Sequence, residues 1–160
     1  APLIGEDAVD TYALRVLLES EALRQSIPLL DASDIASARG YIQQLENETS
    51  HTEIGRLNRL LHMALYSKAP NKKLLRLIEN ELNEEERFLR FNLEAMGLGE
   101  TSQEDHRELL NLVARKKVQE SVLATLNLLA EEQHFTPERL AAYHAIIARH
   151  HAALVADLTP

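Results

Sequence analysis

The sequence contains no cysteine and no tryptophan. Without cysteine there is no disulfide, no thiol nucleophile and no thiolate metal site. Aromatic residues make up only 4% of the chain, and valine and threonine are few beside leucine and alanine. A sheet draws on β-branched and aromatic side chains, so there is little here from which to build one. Five glycines and five prolines in 160 residues leave long stretches free of helix breakers. No run approaches ~18 uninterrupted apolar residues, so no transmembrane helix is expected. The opening "APLIGEDAVD" lacks the basic and apolar regions of a signal peptide, and a cytoplasmic location is the expectation.

Present instead are leucine, alanine, glutamate and arginine, the residues that favour helix. At 45% hydrophobic and 26% charged, the composition is that of a folded domain, and the length suffices for one real core. Seventeen basic residues against 25 acidic ones give a net charge of −8. Such a surface repels phosphates, which argues against direct nucleic-acid binding by this chain. The one compact basic run, Arg115-Lys116-Lys117, falls where a helix should end, where cations stabilise the helix dipole.

Punctuation along the chain is legible. A first helix is expected from about Asp7 to Gln25, closed by "SIPLLDASD", in which Pro28 prevents continuation. A second starts near Asp31 or Ser33 and carries Ile35, Ala38, Ile42 and Leu45 at helical spacing. Ser50-His51-Thr52-Glu53 has the form of a capping box and opens a third helix through "IGRLNRLLHMAL". "SKAPN" breaks it, and Pro70 suits the first turn of a fourth helix from about Asn71 to Met96, with Leu74, Leu77, Ile78, Leu82, Leu89 and Leu93 apolar. Thr101-Ser102-Gln103-Glu104 reads as another capping box, for a fifth helix to about Lys116, and a sixth runs from about Val118 to Glu132. Thr136 and Pro137 begin a seventh, whose apolar positions Leu140, Tyr143, Ile147, His151, Leu154 and Leu158 must be buried against the domain or a second subunit. There is no strand signal, repeat or domain-sized linker, so residues 1–160 read as one all-α domain, a helical bundle of six to seven helices.

Phosphate loops, HExxH and Gly-x-Ser-x-Gly elbows are all absent. What stands out is a set of polar residues among the apolar stripes. Asn58 and His62, one turn apart, can reach one point beside the third helix. His106 shares a face with Leu110 and Val113, and Arg15 lies beside the stripe Leu14, Leu18 and Ala22, with Glu19 one turn on. Each also has a plain structural explanation. The histidine could be a hydrogen-bonded core residue, Asn58 a packing or capping residue, and Arg15 with Glu19 an i, i+4 surface pair. His134, His144, His150 and His151 are expected on a solvated face.

Three segments together resemble a known family. "YALRVLLESEALRQSIP" is similar to the opening helix of the FCD domain, the C-terminal effector-binding domain of the FadR subgroup of GntR-type transcription regulators. "LNRLLHMALYSKAPNKKLL" resembles that family's D-x-x-F-H segment, and "EDHRELLNLVARKKVQESVLATLNLL" the stretch in which one His starts a helix and a last His closes the next. In order and loop length the resemblance covers roughly Val9 to Ala130.

The resemblance implies an antiparallel all-helical bundle around a central pocket, where many members hold a divalent metal with one Asp and three His and bind an organic acid. Asn58 stands where the family has its metal-binding Asp, while His62 and His106 match two of the histidines. The last His falls at Leu128, beside Asn127, so one nitrogen and the anionic oxygen are missing. Asn58, His62 and His106 are therefore the candidates for a degenerate divalent site, for Zn or Ni. The other expectation is a metal-free pocket in which they bind the effector directly. Arg15 matches a pocket-facing arginine and is the candidate for pairing with a carboxylate, with Asn127 as a further contact and Arg87 and Arg90 as weaker ones.

The expected function is a metabolite-sensing regulatory domain rather than an enzyme, acting on DNA only through a winged-helix domain not contained in these residues. Its partners would be a small carboxylate effector and a second copy of the chain, with no membrane. The alternatives are a structural or dimerisation bundle without ligand, and a metal-dependent enzyme with His62 or His106 as general base.

Overall fold

The computed structural model describes residues 6–96 and 103–132, with side chains over 10–87 and 103–129, and isolated positions beyond 140. The described residues form six α-helices: α1 Glu6–Ser26, α2 Ala32–Glu46, α3 His51–Tyr66, α4 Lys72–Met96, α5 Glu104–Ala114 and α6 Val118–Glu132. None of the described residues is in a strand, so the all-α bundle expected from composition is the fold. A single 3-10 turn, Ile27–Leu29, follows α1 and contains Pro28. The seventh helix expected from Thr136, with its histidines, falls outside the described stretches.

Helix starts follow local chemistry, with small corrections to the expected boundaries. Asp31 is the N-cap of α2, and its carboxylate and that of Asp34 each accept from the other's backbone N–H at 2.9 Å. The bond from the Asp34 N–H favours the ionised form and draws the Asp31 carboxyl below its usual range. At α3 the expected capping box is only half made. Ser50 accepts from Glu53 N–H, but the Glu53 carboxylate turns to Arg56, which lowers its affinity for a proton, and Glu48 accepts from the Ser50 N–H instead. Asn71, not Pro70, opens α4, accepting from the Leu74 N–H at 3.1 Å. Helix α5 begins at Glu104 with Gln103 as N-cap residue, two positions later than the expected capping box, whose Thr101 lies outside the described residues.

Leucines at helical spacing then drive the elements together. Leu57, Leu61 and Leu65 of α3 join Ile78 and Leu82 of α4, Ala38 and Ile42 of α2, Leu109 and Val113 of α5 and Val122, Leu126 and Leu129 of α6 in one core. Helix α3 packs on α2 and α4, while α6 packs on α1 and α5. Gly55 permits a close approach of α3 to α4, because a Cβ there would lie 3.1 Å from Glu86 Cγ and 3.3 Å from its carbonyl oxygen. Arg59 of α3 then closes on the Glu86 carboxylate at 2.6 Å.

Helix α1 departs from the expected pattern. Its buried side is Tyr12, Arg15, Val16, Glu19, Ser20, Ala22 and Leu23; of the expected stripe Ala22 is buried and Leu18 half-buried, whereas Leu14 is 43% exposed, and Leu17 beside it is 61% exposed. The buried face turns from Leu14 toward Arg15 because Arg15 and Glu19 neutralise each other in the interior, which removes the usual reason for a charged pair to face water.

The turn between α5 and α6 ties down the far end of α1. Lys116 has φ 58°, the left-handed region, and its ammonium donates to the carbonyls of Ile27 at 2.7 Å and Leu30 at 2.5 Å. The basic run thus caps carbonyls after another helix rather than only its own. Lys116→Gly and Lys116→Ala both lose these bonds, but alanine keeps the left-handed strain, which costs about 1–2 kcal/mol per residue outside glycine. The glycine variant is therefore expected to melt at the higher temperature of the two, which a thermal scan of the pair will show.

Candidate functional site

A charged, hydrogen-bonded cluster lies inside the bundle where α1, α3, α4 and α5 converge. Arg15 enters from α1 and is 1% exposed. Its Nε donates to Glu19 Oε2 at 2.7 Å, and its Nη1 lies 3.4 Å from Glu85 Oε2 on α4. Glu19 and Glu85 are buried as deeply, at 1% and 3%. A lone ion at such depth costs several kcal/mol, so the guanidinium and the two carboxylates hold one another in place.

The chain of contacts continues through α3. Tyr66 donates its hydroxyl proton to Glu19 Oε1 at 2.7 Å, and its oxygen is 3.5 Å from His62 Nδ1. With that proton committed to a carboxylate, the contact requires His62 Nδ1 to carry the hydrogen. The His62 ring meets the His106 ring edge-on with centroids 5.9 Å apart. On α5, Gln103 Oε1 lies 2.7 Å from His106 Nδ1, and an amide oxygen only accepts, so this nitrogen too is the protonated one. Gln103 therefore fixes the tautomer and orientation of His106. One turn before Arg15, Tyr12 donates to the Leu126 carbonyl of α6 at 2.8 Å and ties these two helices together.

The structure thus brings three of the residues singled out in the sequence, Arg15, His62 and His106, into one connected network. Asn58 is buried one turn before His62. Asn127 is not among them: it is exposed on α6, while Leu128, the next residue and so about 100° further round, is buried. Arg87 is 70% exposed and paired with Glu84, which leaves it on the solvated face, and the Arg90 side chain lies outside the described residues. Three members were not anticipated. Glu85 continues the Ile78–Leu82 stripe of α4 by three residues, and a carboxylate at a core position was the available signal. Tyr66 follows His62 by four residues and Gln103 precedes His106 by three, spacings that place side chains on one helical face or across an N-terminus.

Fitness for a metal can be judged from the donors. Asn58, His62 and His106 supply two imidazoles and a neutral amide, with no anionic oxygen among them. Among the described residues, no group of three or more His, Cys, Asp or Glu is placed to hold a metal ion. A tightly held divalent cation asks for three or four such donors, so this donor set does not fit one.

A family model for the FCD domain matches residues 10–131, which takes in every helix of the site. The chain belongs to the FCD domain family. It is also similar to a solved structure described as a transcriptional regulator (GntR family member) from Pseudomonas syringae pv. tomato str. DC3000, with 52% sequence identity and a TM-score of 0.78. That similarity covers 99% of this chain but 62% of the other, so this chain spans about three fifths of its relative's length. No curated protein matches the sequence. No described helix of this FCD domain is long and apolar enough to cross a membrane.

Proposed function

We propose that this FCD domain is the ligand-sensing part of a FadR-subgroup, GntR-type transcription regulator, and that it responds to a small organic acid. The observation that carries the proposal is the buried Arg15 with its two carboxylate neighbours, Glu19 on its own helix and Glu85 on α4. A purely structural bundle gains little from such a cluster, since apolar side chains of similar volume would serve as well or better. A sensor gains a charge that an incoming carboxylate can claim. Its binding to Arg15 competes with Glu85 and so alters the contact between α1 and α4.

Such re-pairing shifts a regulatory equilibrium only if the acid favours one helix arrangement over the other. An attached winged-helix domain would read that shift on DNA, since the net charge of −8 argues against direct contact by this chain. His62, His106 and Asn58 act here as hydrogen-bonding walls for the effector rather than as ligands of a resident metal, and no catalytic step is assigned to them. The exposed Leu14 and Leu17 on α1 support a homodimer as the working form.

The test is a thermal titration of the chain with acetate, propionate, butyrate, lactate, succinate and citrate, before and after chelation. One or more acids should raise the melting temperature, by about 2.7 kcal/mol of added stability at a hundredfold excess over the dissociation constant. Chelation should leave both the shift and the starting temperature unchanged. A chain indifferent to every acid would refute the sensing role, and a melting point that falls on chelation would restore the metal.

A further inference from the structure

Thr125 is buried in the bundle at 1% exposure, and its hydroxyl makes no hydrogen bond among the described residues. An unmade bond of this kind is costly, and a threonine in a helix has an easy remedy in the carbonyl four residues back. One turn earlier on the same helix Ser121 takes that remedy, donating to the Lys117 carbonyl at 2.6 Å. Thr125 does not.

Its location explains what the hydroxyl is for. On α6 the buried residues are Ser121, Val122, Thr125, Leu126, Leu128 and Leu129, and at 100° per residue Thr125 falls near the middle of that arc. It therefore faces inward between α1 and α5, the two helices on which α6 packs. Along the bundle axis it sits level with the charged cluster. Tyr12 of α1 reaches the carbonyl of the very next residue, Leu126, and Arg15 is one turn on from Tyr12. The tight reversal at Arg115–Lys117 brings α5 back alongside α6, which pairs the start of α5, where His106 lies, with the stretch around Thr125 and Leu126.

We propose that the Thr125 hydroxyl is a specificity-determining contact for the effector. This rests on the sensing role proposed above. If the carboxylate of the acid goes to Arg15 on α1, a hydroxyl projecting from α6 meets a different part of the same molecule. That part must carry its own oxygen or nitrogen, because an apolar group there would leave the threonine unsatisfied. The effector class is therefore a bifunctional acid, carrying a hydroxyl, a keto group or a second carboxylate, and not a simple alkanoic acid. Selection follows from the asymmetry between a made and an unmade buried hydrogen bond, and a neutral bond of this kind corresponds to about a two- to tenfold change in affinity.

The experiment compares wild-type chain with Thr125→Val, which exchanges the hydroxyl for a methyl of the same shape, and with Thr125→Ser, which keeps it. Without ligand the valine variant should melt at the same temperature as wild type or higher, since no native bond is lost. With lactate and succinate, the acids that stabilise wild type should bind the valine variant several-fold more weakly and the serine variant almost normally. Propionate and butyrate should not distinguish the three. A valine variant that melts lower without ligand would show that the hydroxyl is structural and overturn the proposal. So would equal affinity of wild type and valine variant for an acid that stabilises both, which leaves the sensing role standing. If no acid stabilises wild type, the sensing role itself fails and this contact with it, an outcome already visible in the wild-type titration alone.

Discussion

Replacing Arg15 with alanine is expected to lower the unfolding free energy by about 3–5 kcal/mol, the usual consequence of removing one partner from a buried ion pair. The guanidinium is the cation described between Glu19 and Glu85, both nearly inaccessible to water, and alanine would leave two carboxylates facing each other across α1 and α4. Urea denaturation reads the loss as a lower midpoint. The comparison is Arg56→Ala, which breaks a pair with Glu53 whose partners are 44% and 41% exposed. Solvent screens that pair, and its removal should leave the midpoint unchanged. Equal effects of the two substitutions would mean that the Arg15 cluster is hydrated and not the interior network described above. Glu85→Gln in the Arg15→Ala background should recover part of the loss, because it removes one of the stranded charges.

Leu61→Ala is expected to cost about 2–5 kcal/mol and Leu17→Ala less than about 0.5 kcal/mol, although both are leucines on amphipathic helices. Leu61 is 1% exposed in the core between α3 and its neighbours, and its truncation leaves a cavity that rigid helices do not fill. Leu17 is 61% exposed on α1, opposite the side that carries Arg15 and Glu19. The same denaturation measurement distinguishes them. A large loss at Leu17 would mean that the side of α1 opposite Arg15 is the buried one, and would undo the placement of Arg15.

That contrast marks the division between what periodicity can and cannot decide. On α3 the spacing of Ile54, Leu57, Leu61 and Leu65 was enough to place Asn58 and His62 beside the apolar stripe, and both are buried with it. On α5 the same logic aimed His106 inward together with Leu110 and Val113. For α1 it held only in part: Ala22 is buried and Leu18 half-buried, but Leu14 is exposed, because the buried face is stabilised by groups from other helices. Glu85 of α4 and Tyr66 of α3 are what make Arg15 and Glu19 tolerable inside, and neither lies near them in sequence. Gln103 stands within a capping sequence, yet its amide serves His106.

Composition and local spacing by themselves determined that this chain is helical, where most of its helices begin and end, and which two histidines turn inward. The family resemblance carried by three segments in register determined the kind of domain, and the FCD match over residues 10–131 bears it out. Only the tertiary structure decided that Arg15 is held between two carboxylates, that Asn127 faces outward and that Thr125 is buried without a hydrogen bond among the described residues. The physical reason is the range of the interactions involved. Helix propensity and capping act within a few residues of sequence, whereas the burial of a charge or a hydroxyl is settled by whatever side chains the other helices bring to it.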